Sequence, residues 1–214
     1  MADTAHIDKF VELYGFCRHY TMTSRSRMFA VYEAVRTIVS VGIPGDVAEC
    51  GVWRGGSMMM AAMALVYFGD TSRRLYLYDT FEGMTEPSAI DYDLYERPAT
   101  KQHYPGWCAA TLQEVIENMT KTGYPQSNIV YVTGKVEETI PETMPERIAL
   151  LRLDTDWYQS TAHELKHLYP LVSQKGFLII DDYGHWKGAK LAVDEYFGNI
   201  DMIEIDYTGR MIVK

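Results

Sequence analysis

Two groups of residues in this 214-residue chain have types and spacings that could do chemistry. The first is the glycine-rich string GDVAECGVWRGGS, which spans residues 45–57. The second consists of Asp79, Asp154, Asp181 and Asp182, which stand at the ends of short apolar runs. Such runs are typical of buried parallel strands, whose carboxyl ends form ligand sites. We therefore expect both groups to lie at one edge of a sheet.

The glycine string has the order strand, glycine turn, helix that nucleotide sites use. Its glycines, Gly51, Gly55 and Gly56, fit neither the dinucleotide spacing G-x-G-x-x-G nor a Walker loop. Glu49, in the mouth of the loop, would repel a pyrophosphate and attract a ligand that carries ammonium and sulfonium groups. The string, which ends in Ser57, therefore favours S-adenosylmethionine as the cofactor. The alternative is a glycine turn that binds no ligand.

Asp79 ends the next apolar run, LYLYD, where nucleotide-binding folds place the carboxylate that accepts the ribose hydroxyl groups. Because the glycine loop comes one strand earlier, we favour this role over that of a turn aspartate that caps the following backbone. Gly134, directly after the third predicted strand, is also assigned to the cofactor site.

Asp154, Asp181 and Asp182 end the fourth and fifth predicted strands, which are neighbours in this topology. Three carboxylates in one cleft repel one another unless a cation neutralises them, and oxygen ligands favour Mg²⁺ over zinc. Mg²⁺ would lower the pKa of an acceptor hydroxyl, with Asp154 as the predicted base and His185 as a second candidate. Alternatively, these acids cap helices or pair with basic residues such as Arg152.

The elements that position these groups follow from hydrophobic periodicity. Helical spacing from Arg25, stopped by Gly42, predicts a helix before the glycine strand, and residues 56–68 predict another behind the loop. Strands and helices alternate from residue 45 to 200, which predicts an α/β fold with a mostly parallel sheet covered on both faces. A closing hairpin about Thr208 would add the antiparallel edge of the Rossmann-like class I methyltransferase sheet.

The predicted organisation is a single domain over residues 1–214, with residues 1–44 as an N-terminal helical cover. Residues 85–107 carry prolines, acids and aromatic residues without a clear period. Irregular segments of this length are often active-site lids, and the aromatic residues argue against disorder. We therefore interpret residues 85–107 as a lid.

Composition limits the classes of partner. The net charge of −9 and the lack of a basic cluster argue against nucleic acid. No apolar run is long enough to span a bilayer, and the acids near the N-terminus do not fit a signal peptide. Three scattered cysteines suit a reducing compartment, so we expect a cytoplasmic protein. The sequence leaves a homo-oligomer open.

Four strings together resemble one family: GDVAECGVWRGGS, LYLYDTFEGM, LRLDTDWYQST and GFLIIDDYGHWKGAK. Their types and order, from about Tyr20 to the end of the chain, resemble the macrocin O-methyltransferases, which modify sugar hydroxyls of antibiotics. The resemblance implies a class I fold, S-adenosylmethionine and Mg²⁺. It also implies these roles: Asp79 for ribose, Asp154, Asp181 and Asp182 for the metal, Asp154 as base, and Met22 and Thr23 in a segment that closes over the cofactor.

The leading hypothesis is thus a Mg²⁺-dependent O-methyltransferase that acts on a hydroxyl of a sugar or small natural product. A metal-dependent hydrolase that uses only the aspartates is a second hypothesis, but it leaves Glu49 and the glycine loop unexplained. A cofactor-binding module without catalysis is the third. Cofactor binding separates the first hypothesis from the second, and methyl transfer separates it from the third.

Overall fold

The computed structural model describes residues 2–214, with side chains from residue 4, and contains one seven-stranded sheet in the order β3-β2-β1-β4-β5-β7-β6. The strands are β1 Asp46–Cys50, β2 Leu75–Asp79, β3 Ile129–Thr133, β4 Ile148–Leu153, β5 Val172–Ile180, β6 Ile203–Glu204 and β7 Arg210–Val213. The first five strands are parallel, and β7 runs antiparallel to β5. This arrangement confirms the predicted parallel sheet and its closing hairpin.

Helices cover both faces of the sheet. They are α1 Ala2–Cys17, α2 Arg25–Val41, α3 Gly56–Phe68, α4 Leu112–Thr120, α5 Val136–Thr139, α6 Tyr158–Leu168 and α7 Lys187–Phe197. One apolar core joins α1–α4 to strand residues such as Val47 and Leu77, and a second joins α5–α7 to residues such as Ala48 and Tyr78. Neighbouring residues of a strand point to opposite faces, so every central strand contributes to both cores.

The predicted helix from Arg25 is α2, and its ends have the expected chemistry. The Ser24 side chain accepts a hydrogen bond from the Arg27 amide, and Gly42 ends the helix in a left-handed conformation at φ +70°. Helix α1 before it lies within the segment predicted as an N-terminal helical cover, but the sequence predicts no bounds for it. Its buried residues Phe10, Leu13 and Cys17 have helical spacing and pack in the same core as α2.

The order in which strands are added to the sheet reverses between β1 and β4. The strands that follow β1 are added on one side of it, whereas β4 lies on the other side. The loops after these two strands therefore open at the same place, which is where doubly wound sheets bind ligands. The Asp154 amide donates to the Cys50 carbonyl at 2.8 Å, so the two loops touch directly.

The segment over residues 85–107 is irregular, as expected for a lid, but its centre is anchored. Asp91 and Asp93 are buried, and the Asp91 carboxylate accepts the Tyr158 amide at the start of α6 at 2.9 Å. The Lys187 amide at the start of α7 donates to the Tyr92 carbonyl at 2.8 Å. These contacts hold the middle of the segment against the first residues of α6 and α7. The role of the segment as a lid stays a prediction.

None of the helices in residues 2–214 combines the length and apolar character that a membrane span requires.

Candidate active site

The glycine loop after β1 has a shape that its glycines make possible. A Cβ on Gly51, which has φ +81°, would lie 1.9 Å from the Asp154 carbonyl oxygen. Gly55 adopts φ +88° as the residue before α3, and a Cβ on Gly56 would meet Thr21 and the Tyr20 carbonyl at 2.6 Å. The close approach of neighbouring backbone therefore requires glycine at positions 51 and 56, and the positive φ favours it at position 55.

Asp79, at the end of β2, binds this loop through its carboxylate. One oxygen accepts the amides of Val52 and Trp53 at 2.7 and 2.9 Å, and the other accepts the Phe81 amide at 2.8 Å. Asp79 also lines the adjoining cleft. The side chain therefore caps backbone as the alternative interpretation supposed, and it faces the space where a ligand would lie.

The cleft at this edge of the sheet has two adjacent pockets that share Met22, Trp53, Asp154 and Asp156. The first pocket is also lined by Gly51, Tyr78, Asp79, Thr80, Gly83, Met84, Thr85, Cys108, Gly134, Lys135, Val136, Glu137, Thr155 and Ser160. The second is lined by Thr21, Thr23, Arg27, Val52, Ser57, Asp181 and Asp182. The first pocket contains the predicted cofactor residues Gly51, Asp79 and Gly134, while Thr23 and Ser57 face the second.

The carboxylates that lie together are not the predicted triplet. Oxygens of Asp154, Asp156 and Asp182 lie within 4.8 Å of one another. Asp181 points instead to two guanidinium groups, those of Arg27 and Arg152. Asp156 thus takes the place in the cluster that the sequence assigned to Asp181. Its left-handed backbone, φ +68°, follows the extended end of β4.

Burial and mutual repulsion act on this cluster. Burial raises the pKa of Asp154 well above its usual value, although Arg152 opposes the shift. Burial also raises the pKa of Asp182, with Asp156 as the next cause, and raises that of Asp156 to about 7. The three groups therefore resist ionising together, which a bound dication would reverse.

Arg152 links most of the acids beneath the cleft. It is 3% exposed and donates to the carboxylates of Glu49, Asp154 and Asp181 and to the Thr23 hydroxyl, the last at 2.9 Å. The sequence names Arg152 only as an alternative partner of the acids. Its position on β4, paired with Glu49 on β1, brings these groups together across two strands.

Arg27 extends the same network to the C-terminal hairpin. Its guanidinium pairs with Asp181 and with Asp206, the latter at 3.0 Å, and Asp206 also accepts from the Ser24 hydroxyl. Because Arg27, Asp181 and Asp206 lie far apart in sequence, no local motif could indicate this network.

Glu49 lies below the loop and not at its mouth. Its side chain is 1% exposed, binds Arg152 and lines neither pocket. Burial raises its pKa to about 7, although Arg152 opposes the shift. A direct contact of Glu49 with a cofactor stays a prediction; its observed contact supports the loop from beneath.

His185, the second candidate for the base, contacts Trp186 and Tyr207 edge to face at centroid distances of 4.9 and 6.2 Å. It lines neither pocket. The aromatic residues that follow the two acid loops form a cluster, in which Trp157 and Trp186 lie 4.9 Å apart and Trp107 of the lid segment packs on both. His185 thus belongs to the wall beside the cleft.

Comparison with known proteins assigns the family. The macrocin O-methyltransferase (TylF) family matches residues 17–213. A tetracenomycin 4'-O-methyltransferase of Streptomyces olivaceus, which acts on a rhamnosyl derivative, is 37% identical over 194 residues, 89% of this chain and 74% of that protein. The chain belongs to the macrocin O-methyltransferase family. It is therefore an O-methyltransferase, and the resemblance found in the sequence is confirmed.

Two further relatives support this family assignment. The demethyldecarbamoylnovobiocin O-methyltransferase of Streptomyces niveus is 30% identical over 89% of this chain and 74% of that protein. The solved structure of the O-methyltransferase NovP superposes with a TM-score of 0.80 at 28% identity and covers 91% of this chain and 82% of that one. The macrocin O-methyltransferase fold, a class I methyltransferase sheet, is thus confirmed.

Proposed function

We propose that this chain transfers a methyl group from S-adenosylmethionine to a sugar hydroxyl of a glycosylated natural product, and that Mg²⁺ is required. The observation that carries the proposal is the meeting of two sites at one cleft. The glycine loop and Asp79 line one pocket, and three clustered carboxylates stand where that pocket adjoins the second.

The first pocket suits the cofactor. Asp79 projects from the end of β2, where ribose hydroxyl groups are bound in related folds. Met84, Cys108 and Val136 add apolar wall, which suits an adenine ring. Met22, 63% exposed, lines both pockets, so its segment is placed to cover the bound sulfonium. Two solved O-methyltransferase structures of the same fold, at 10% and 9% identity, hold the demethylated cofactor and S-adenosylmethionine, respectively.

The acid cluster fits a hard dication. Its donors are carboxylate oxygens, and Asp154, Asp156 and Asp182 would hold the ion, with Asp181 adjacent. When bound, Mg²⁺ would supply positive charge that lowers the pKa of the acceptor hydroxyl.

Asp154 and Asp156 both face the cleft and could accept the hydroxyl proton. An oxygen of Asp154 is occupied by Arg152 at 2.7 Å, whereas no arginine pairs with Asp156 in the described residues. Asp156 is therefore placed for the proton at least as well as the predicted base, Asp154.

The acceptor class comes from the relatives and from the wall of the second pocket. The relatives are named for O-methylation of a rhamnosyl tetracenomycin, of demethyldecarbamoylnovobiocin and, in a 31% identical enzyme of Micromonospora griseorubida, of mycinamicin III. Trp53 lines both pockets and is partly exposed, so its ring supplies flat apolar surface against which a sugar could lie. Free cysteines Cys17, Cys50 and Cys108 suit the proposed cytoplasmic location.

The test measures cofactor binding and turnover separately. Calorimetry with S-adenosylmethionine compares the wild type with Asp79→Ala and with Asp46→Ala, a matched aspartate that caps the Arg74 amide at the opposite end of β1. Asp79→Ala removes a charged acceptor of three amides, so we expect affinity to fall by about 2–3 kcal/mol, while Asp46→Ala leaves it unchanged.

Turnover is followed by mass gain of one methyl on glycosylated acceptors, with EDTA and after Mg²⁺ is restored. We expect EDTA to abolish turnover and leave cofactor affinity intact. Full turnover in EDTA would reject the metal role. Hydrolysis without cofactor would favour the hydrolase hypothesis, and cofactor binding without methyl transfer to any acceptor would favour the non-catalytic module.

A further inference from the structure

Glu164 is a buried acid that the proposed chemistry does not use. It belongs to α6 and is 0% exposed. It lies beneath the contact between the glycine loop and the loop after β4, which carries Asp154 and Asp156. One carboxyl oxygen accepts the Thr155 hydroxyl at 3.0 Å, and the other has no hydrogen-bond partner. No ion pair in the described part of the chain involves Glu164.

A buried carboxyl without a cation is stable in the folded protein only when it is neutral. Burial raises the pKa of Glu164 well above its usual value, while the Thr155 hydroxyl opposes the shift. Glu164 also lies beside the buried Cys50 thiol, whose pKa it raises together with burial. The acid thus lies under both loops with one oxygen bonded to Thr155 and the other without a hydrogen-bond partner.

Thr155, the hydrogen-bond partner of Glu164, lies in the loop after β4. Thr155 stands between Asp154 and Asp156, the two acids shared by both pockets, and itself lines the first pocket. Its carbonyl accepts the Trp157 amide at 2.8 Å, so the loop turns sharply after it. The Thr155 hydroxyl connects this turn to α6 through its hydrogen bond to Glu164.

We propose that Glu164 is a positioning residue for methyl transfer: its hydrogen bond to Thr155 sets the direction in which Asp154 and Asp156 enter the cleft. The inference rests on the proposed function, because it assigns those two acids to the reaction. Glu164 itself touches neither cofactor nor acceptor. A misplacement of about 1 Å in such groups can lower a rate about 100-fold.

Three variants of the full chain separate positioning from folding. Glu164→Leu keeps the volume and removes both polar atoms, and Glu164→Gln keeps an acceptor for Thr155 and a neutral amide. Glu117→Leu, at an exposed glutamate of α4, is the matched control for the added leucine. Replacing a buried polar group with leucine need not destabilise the fold, so thermal unfolding temperature and activity can move independently.

We expect Glu164→Leu to lower kcat about 10- to 100-fold with little change in the KM for S-adenosylmethionine and in the unfolding temperature. It should also weaken Mn²⁺ binding, measured by electron paramagnetic resonance without cofactor or acceptor, because the clustered oxygens lose their alignment. Glu164→Gln should stay within about threefold of the wild type in both measurements. Glu117→Leu should match the wild type throughout.

Thr155→Val tests the same contact from its other end. If the hydrogen bond carries the effect, the double variant Thr155→Val with Glu164→Leu should be no slower than the slower single variant. This variant also decides the question if Glu164→Leu does not fold: a normal kcat in Thr155→Val would then overturn the inference.

Other outcomes are equally decisive. Wild-type kcat and Mn²⁺ affinity in a folded Glu164→Leu would overturn the inference, as would equal loss in Glu164→Gln and Glu164→Leu. Failure of the proposed function looks different: the wild type itself would bind no Mn²⁺ or transfer no methyl group. If only the metal fails, the kcat comparison among the variants still decides the role of Glu164.

Discussion

The two halves of the cleft are built on different physical terms. On the cofactor side, backbone geometry and backbone amides define the shape: Gly51 fits against the acid loop, and Asp79 accepts three amides. On the acid side, Asp154, Asp156 and Asp182 crowd together, and only Asp154 has a guanidinium partner. The protein alone satisfies the hydrogen bonds of the cofactor side, whereas the carboxylates of the acid side lack balancing positive charge.

This difference shows how stability and function are divided in the site. Asp181 and Asp182 are adjacent in sequence, yet Asp181 is neutralised by Arg27 and Arg152 while Asp182 faces other acids. Substitutions of Asp181 and Asp182 should therefore change stability in opposite directions. The following predictions begin with the largest expected effect.

Gly51→Ala should give the largest loss. The new Cβ would lie 1.9 Å from the Asp154 carbonyl oxygen, and φ +81° disfavours a residue with a side chain. We expect about 3–5 kcal/mol less unfolding free energy in urea, together with loss of cofactor binding.

The matched control for Gly51→Ala is Gly15→Ala in α1, where a Cβ meets nothing within 4 Å. There alanine should stabilise the protein by up to about 1 kcal/mol. Equal behaviour of the two variants would show that the loops after β1 and β4 do not need their close contact.

The fold could be predicted from the sequence to the extent that its signals are local. Apolar spacing, the Ser24 cap and the Gly42 stop indicated α2 correctly, because these interactions lie within one turn of the helix. Helix α1 lies in the predicted helical cover but was not delimited, although Phe10, Leu13 and Cys17 carry the same spacing, since the aromatic mixture around them hid the period.

The site was predictable in kind but not in detail. Acids at the ends of β4 and β5 placed the cluster correctly, because strand ends meet at one edge of a parallel sheet. Which aspartates meet depends on the left-handed turn at Asp156 and on Arg27, which approaches Asp181 from 154 positions away. Neither feature has a sequence signature, although Asp156 stands only two positions after Asp154 in the sequence.

Asp181→Asn should give the second-largest effect, a loss of about 3 kcal/mol, because it leaves the buried Arg152 and the largely buried Arg27 without their shared carboxylate. Urea unfolding in EDTA measures this loss without any contribution from metal. Asp201→Asn, at an exposed aspartate before the hairpin, is the control and should change stability by less than about 0.5 kcal/mol. Wild-type stability of Asp181→Asn would mean that Arg27 and Arg152 do not depend on Asp181.

Asp182→Asn should give the smallest effect and the opposite sign. In EDTA the carboxylate of Asp182 faces Asp156 and Asp154 without a guanidinium of its own, so a neutral amide relieves repulsion. We expect a gain of about 1 kcal/mol, the free energy of roughly a tenfold change in an ionisation constant. In saturating Mg²⁺ the sign should reverse, because the wild type gains stability from the bound ion and the variant binds it more weakly.

The measurement is the unfolding temperature of both proteins in EDTA and in Mg²⁺, with Asp181→Asn beside them. That third protein should be less stable than the wild type in both conditions, since its loss comes from the arginines. A loss for Asp182→Asn in EDTA would contradict the contrast between the two halves of the cleft, because Asp182 would then be held by the protein alone.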